Sequence, residues 1–195
     1  MLRDALKGWK VILASGSPRR HQFFKELEVP FEVRLKSVDE VYPPNLQAGE
    51  ISDFLAQLKA KPFNGTLKPK EILVTSDTVV WHNGASLAKA ADEQEAYEML
   101  KKLSGDWHEV VTSVSFTTAE TQSTVNHITK VKLKELSDAE IWYYINRSQP
   151  FDKAGAYGIQ EWIGLIAIEE IKGSYTNVVG LPTHLVYKTL IEMVG

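Results

Sequence analysis

Val11-Ile12-Leu13-Ala14-Ser15-Gly16-Ser17-Pro18-Arg19-Arg20-His21-Gln22-Phe23-Phe24 reads as a strand, a tight turn of small residues and a helix. Three apolar residues make the strand. Ser17 is placed to cap the helix, with Pro18 at its first helical position. Phe23, Phe24 and Leu27 then form an apolar face. Two hydroxyls, Ser15 and Ser17, and two guanidinium groups, Arg19 and Arg20, therefore gather at a strand-to-helix turn. Backbone N–H groups and the positive helix end make such a turn an anion site. Adjacent arginines beside that positive end are unfavourable unless an anion compensates them. A helix cap with two surface arginines is the plainer reading of the same residues.

Outward from this turn, short strand patterns alternate with helical ones. Phe31, Val33 and Leu35 alternate with polar residues, as a half-buried strand does, and Pro43-Pro44 then breaks regular structure. Ile51, Phe54, Leu55 and Leu58 repeat at helical spacing, in a helix that ends by Pro62. Ile72 to Thr75 is a strand running into Ser76-Asp77-Thr78-Val79-Val80, and His82-Asn83-Gly84 has the composition of a hairpin turn. Asp92 with Glu95, and Ser137 with Glu140, are capping boxes. The first opens a helix with Ala96, Met99, Leu100 and Leu103 inward, stopped by Gly105; the second opens one with Ile141, Tyr144 and Ile145 inward.

Residues 108–118 and 124–134 read as strands, Phe151 to Gln160 as a glycine-containing loop, and Gly164 to Ile171 as a further strand. Gly173 to Asn177 is expected as a turn, and Pro182 as the start of a final helix with Leu185, Val186, Leu190 and Met193 inward. The strands are too closely spaced for a purely parallel sheet. The expected fold is α/β with α+β character: a bent mixed sheet with flanking helices, in two lobes around a cleft. No linker divides the chain, so residues 1–195 are expected to form one domain.

Composition narrows the function. The formal charge of −3 argues against a broad nucleic-acid-binding surface but not against a local basic pocket. Without cysteine there is no disulfide, thiolate nucleophile or thiolate metal site. No stretch reads as a membrane span or a secretory signal, so the cytoplasm is the expected location. No P-loop, Rossmann fingerprint or G-x-S-x-G elbow occurs, and the five histidines show no metal-ligand spacing.

Four further features could carry chemistry. Asp77 stands where an apolar strand runs out, a position that faces the ligand crevice in open α/β sheets. A carboxylate there can hold Mg²⁺ or take a proton from water; a turn-forming Asp is the alternative. Asp39-Glu40 precedes the proline-broken loop, where a solvated acidic pair is the plain reading. Lys59 lies on the polar side of its helix and Lys89 in a loop, both ordinary surface positions for lysine. In the loop 151–160, Gln160 offers a donor and an acceptor to an amide-bearing base, and the glycines allow close approach.

Taken in order, these segments resemble the Maf family of nucleoside triphosphate pyrophosphatases. The matching blocks are Leu13 to Arg20, Val38-Asp39-Glu40, Leu55-Ala56 with Lys59-Ala60, Ser76 to Val80, Lys89, and Met99 to Gly105. His108, Val110 and Thr112 follow, then Asp152 to Gln160 and Gly173 to Pro182. The resemblance implies an ITPase-like fold with a cleft between two lobes. It implies hydrolysis of a nucleoside triphosphate to the monophosphate and pyrophosphate with a divalent cation, Mg²⁺ or Mn²⁺, and it fits a homodimer.

Carried onto this chain, it assigns catalysis and metal binding to Asp77 and Glu40. It assigns phosphate binding to Ser15, Ser17, Arg19, Lys59 and Lys89. Arg20, Thr78 and Gln160 match the branch that prefers dTTP and UTP, with CTP and modified pyrimidine nucleotides as further substrates. Ala88 and Ala90 beside Lys89, Ser76, and Glu161-Trp162 depart from the usual pattern at the pocket rim. The rival reading is a nucleotide-binding regulator of cell division with little turnover. The pair Glu40 and Asp77 favours an enzyme, since phosphate binding alone needs no carboxylates.

Overall fold

The computed structural model describes residues 1–195. In chain order the elements are α1 (Leu2–Ala5), β1 (Lys10–Leu13), α2 (Pro18–Glu26), β2 (Phe31–Val33) and α3 (Ala48–Ala60), which runs into a 3₁₀ turn, Lys61–Phe63. There follow β3 (Glu71–His82), β4 (Ala85–Leu87), α4 (Glu93–Leu103), β5 (Trp107–Thr117), β6 (Gln122–Leu133) and α5 (Asp138–Ser148). The chain ends with α6 (Trp162–Ala167), β7 (Ile168–Lys172), α7 (Tyr175–Val179) and α8 (Thr183–Val194). No helix is long and apolar enough to cross a membrane.

The seven strands form one mixed sheet in the order β2-β1-β3-β5-β6-β7, with β4 also on β3. β1 runs parallel to both β2 and β3; the other pairings are antiparallel. The long strand β3 organises everything. β1 pairs with it only over Glu71–Val74, and β4 only over Val80–His82. Between them, from Thr75 to Val79, one edge of β3 carries no strand. That gap in the sheet is the floor of a cleft.

Alternation along β3 explains the two lobes. Ile72 and Val74 join Val11, Leu13, Val114 and Phe116 under Phe24 of α2 and Val186 and Leu190 of α8. Val80, on the same face, joins Val110, Val131 and Leu133 under helices α4 and α5. Ser76 and Thr78 separate the two apolar clusters on β3, and Thr112 does so on β5. Two cores thus share one sheet with a polar seam between them. The opposite face of the seam carries α3: Val79 packs on Ile51 and Leu55, and Thr75 Oγ1 donates to the Ala56 carbonyl at 2.7 Å.

Local signals formed much as expected. Ser17 caps α2 by accepting from the Arg20 N–H. Asn83 and Gly84, at φ of 47° and 80°, make the β3–β4 hairpin, as a tight turn with positive φ at both centres requires. The Ser137–Glu140 box is reciprocal. At Asp92 only one half forms, because Glu95 turns back to the Ala91 N–H instead. Ser137→Ala should therefore cost about 1 kcal/mol, read as a lower denaturant midpoint with an unchanged slope.

Several expectations need correction. Gly164 to Ile171 is not one strand: α6 covers Trp162–Ala167, and only Ile168–Lys172 is extended. Ile163 and Ala167 bury in the α4–α5 core while Leu165 between them is 83% exposed; a strand would put all three on one face, so the spacing is helical. A short apolar run does not distinguish the two states locally. Gly173 to Asn177 is not merely a turn, since Ser174 caps the short helix α7. β2 stops at Val33, leaving Leu35 outside it. Asp77 does not end its strand; it lies inside β3.

Candidate active site

A cleft of about 560 Å³ opens over the gap in β3. Its walls are the β1–α2 turn, the segment around Glu40, Lys59 of α3, Lys89, the loop 152–160 and the end of α7. All ten residues singled out from the sequence line it: Ser15, Ser17, Arg19, Arg20, Glu40, Lys59, Asp77, Thr78, Lys89 and Gln160.

Asp77 points to the α3 face, as do Thr75 and Val79, and meets Lys59 in the last turn of that helix. Lys59 Nζ lies 2.5 Å from Asp77 Oδ1 and 3.1 Å from Glu40 Oε1. The Asp77 side chain is 11% exposed, that of Lys59 19% and that of Glu40 43%. Burial lifts the Asp77 carboxyl above its ordinary pKa, although Lys59 and Arg20 pull the other way. Lys59 is thus not a solvated surface lysine. It is a half-buried cation shared by two carboxylates, one deep and one near the rim.

The two arginines of the turn divide. Arg20 turns inward and spends its guanidinium on the protein. It donates to the carbonyls of Ser76 and Gly180 at 2.9 Å each, to Thr78 Oγ1 at 3.1 Å and to Ser15 Oγ at 3.4 Å. Burial lowers its pKa, with the Asp77 charge opposing. Thr78 Oγ1 also meets Thr112 Oγ1 at 3.0 Å across the seam. Arg19 stays on the cleft wall, 3.5 Å from Asp152. The Ser15 hydroxyl accepts from the Ser17 N–H and from Arg20, and the Ser17 hydroxyl from the Arg20 N–H. Both serines therefore hold the turn.

Lys89 and Gln160 are exposed. The Lys89 backbone bridges to Ala154, so the strand-like end after β4 and the glycine loop support each other. Gly155, at φ 68°, packs against Val80, where a Cβ would meet Val80 Cγ1 at 3.0 Å. Close approach and positive φ together demand glycine there.

Sequence reasoning passed over Asp152, Lys153 and Tyr157, which also line the cleft. Asp152 neighbours Arg19, and Tyr157 OH meets His108 Nε2 at 2.7 Å. The adjacent charges Asp152-Lys153 inside a glycine loop were the available signal.

A sheet opened at its middle, with cations around a buried carboxylate, defines an α/β protein whose cleft suits a polyanionic small molecule. The Maf-like protein family matches residues 10–193, and the chain belongs to that family. It is similar to the dTTP/UTP pyrophosphatase of Flavobacterium johnsoniae, 55% identical over 194 residues covering 100% of both chains. It is likewise similar to the dTTP/UTP pyrophosphatase of Flavobacterium psychrophilum, 56% identical over 192 residues and 98% of each chain. Among solved structures, a nucleoside-triphosphatase / dITP/XTP pyrophosphatase from Mycobacterium abscessus is similar with a TM-score of 0.46, at 13% identity over 92% of each chain.

Proposed function

We propose that this protein hydrolyses dTTP and UTP to the nucleoside monophosphate and pyrophosphate, with CTP and modified pyrimidine triphosphates as further candidates. The observation that carries the reading is the buried Asp77 carboxylate facing a cleft whose other charged residues include Lys59, Arg19, Lys89 and Glu40. Full-length similarity to two dTTP/UTP pyrophosphatases supports the substrate class.

In this reading the triphosphate lies between the β1–α2 turn and Lys59. Arg19, Lys59 and Lys89 neutralise its oxygens, which is most of what phosphoryl chemistry asks of a protein. Asp77 orients a water and takes its proton. The water oxygen bonds to the α-phosphorus, the bond from that phosphorus to the bridging oxygen breaks, and pyrophosphate leaves. Gln160 and Thr78 read the base end, and Arg20 fixes Thr78.

A divalent cation fits the donors. Asp77 and Glu40 converge on one point, now held by Lys59, and Mg²⁺ sites commonly take one or two carboxylates with phosphate and water completing the shell. No cluster of three or more acidic or histidine side chains is present, so phosphate oxygens would have to complete the shell. Bound there, the ion would supply charge neutralisation for the leaving pyrophosphate.

A panel of triphosphates assayed with Mg²⁺ and with chelator tests this. The expected products from dTTP and UTP are the monophosphate and pyrophosphate, with no orthophosphate until a pyrophosphatase is added. Tight dTTP binding without product would replace the enzyme by a nucleotide-binding regulator.

A further inference from the structure

One buried cation in the cleft has no place in the scheme above. Lys153 is 9% exposed at its side chain, where an unpaired ammonium would be strongly disfavoured. Its Nζ lies 2.7 Å from Asp152 Oδ1 and 3.0 Å from Glu161 Oε1. Both partners lead elsewhere. Asp152 Oδ2 faces Arg19 Nη1 at 3.5 Å on the phosphate wall. Lys153 and Arg19 together hold the Asp152 carboxyl below its ordinary pKa, against the effect of burial. Glu161 Oε2 accepts from Tyr144 OH, and Tyr144 OH accepts from the Gly158 N–H at 3.1 Å.

The charges thus alternate, Arg19, Asp152, Lys153, Glu161, from the Arg19 wall of the cleft to Glu161, which does not line it. Glu161 also packs on Gly158: a Cβ there would meet Glu161 Cδ at 2.9 Å. Gln160 sits between these two fixed points, next to Glu161 and two residues from Gly158. It makes no side-chain hydrogen bond of its own to hold it, and it is exposed to the cleft.

We propose that Lys153 is a positioning residue that clasps the loop 152–161 shut and so couples the base end of the cleft, Gln160, to its phosphate end, Arg19. The proposal rests on the reading of the cleft as a nucleoside triphosphate site. Lys153 acts in this proposal through its two carboxylate partners, from a side chain only 9% exposed, rather than by touching phosphate. Its removal frees Glu161 from one of its two anchors, loosens Gly158 and lets Gln160 wander. It also leaves Asp152 as a stronger competitor for Arg19.

The test compares Lys153→Met, Lys153→Arg and Glu161→Gln with the wild type. Steady-state kinetics on dTTP and on dATP give the discrimination. Amide hydrogen exchange gives the loop. In Lys153→Met the dTTP-over-dATP ratio of kcat/KM should fall at least about fivefold, the scale of one broken coupling of ~1 kcal/mol. KM should rise more than kcat falls. The Gly158 amide should exchange faster, with amides of β3 and β5 unchanged.

Glu161→Gln should reproduce the exchange effect, and Lys153→Arg should restore discrimination. If Lys153→Met loses kcat with discrimination and Gly158 exchange unchanged, Lys153 is a phosphate ligand and the clasp is wrong. If all three variants match the wild type, the clasp is wrong too. If the wild type hydrolyses no triphosphate, the functional reading fails by itself, while Gly158 exchange still decides whether Lys153 holds the loop.

Discussion

Asp77→Asn should lose at least ~10²-fold in kcat/KM for dTTP, the usual scale for a positioned base, while folding as stably as the wild type or more so. The two halves of this expectation come from one fact. Burial is the largest influence on the Asp77 carboxyl and raises its pKa, outweighing the attraction of Lys59 and Arg20. A folded-state pKa above the unfolded value means that the ionised form opposes folding. That contribution to stability is present below the unfolded pKa, falls as pH rises through the folded one, and is lost above it. Asparagine removes the buried charge and keeps an oxygen for Lys59.

The same raised pKa sets a pH profile. The wild-type rate should fall on the acid side at a pH above the ordinary carboxylate range of about 4, and that limb should vanish in Asp77→Asn. Initial rates across pH, with thermal melts of both proteins, read all of this. Near-normal turnover in a folded Asp77→Asn would remove Asp77 from the chemistry. A large drop in melting temperature would show that Lys59 attraction, not burial, dominates the site.

What was legible in the sequence was local. A strand, small residues, a cap and an apolar helical face define β1–turn–α2 within one window, and Asn83-Gly84 defines its hairpin. The mixed sheet followed from strand spacing. The position of Asp77 was half legible. It does face the crevice, but not because its strand ends. The crevice exists because β1 stops pairing at Val74 and β4 begins only at Val80, and no window around Asp77 contains the length of its neighbours.

Lys59 is the same case. Its spacing puts it off the apolar face of α3, and only the approach of Asp77 and Glu40, from distant segments, turns a surface position into a half-buried one. The helix α6 was missed because its burial at Ile163 and Ala167 depends on α4 and α5, which the run itself does not announce.

Arg20 shows the widest gap between composition and structure, and its replacement should have the second large effect. Read in sequence it is one of two cations at a helix start. In the fold it joins α2, β3 and the end of α7 through the carbonyls of Ser76 and Gly180 and the hydroxyl of Thr78. Arg20→Ala takes the donor from the Ser76 and Gly180 carbonyls, while Thr78 Oγ1 keeps Thr112 Oγ1 as a partner. A buried unsatisfied acceptor costs about 1–3 kcal/mol, so two carbonyls with partial access to water give a loss of about 3 kcal/mol. In a chain of this length that lowers the melting temperature by roughly 6–12 °C.

Arg20→Lys separates charge from geometry. An ammonium keeps the positive charge near Asp77 but cannot span three acceptors in one plane as a guanidinium does. Arg20→Lys should therefore lose much of the same stability while keeping the acid limb of the pH profile in place. Arg20→Ala should push that limb to higher pH, because the Arg20 charge holds the Asp77 pKa down. Melting curves and pH–rate profiles of the two variants decide it. If Arg20→Lys equals the wild type in both, the fork is immaterial and Arg20 serves as a point charge. If Arg20→Ala leaves the limb where it was, the field of Arg20 does not reach the base.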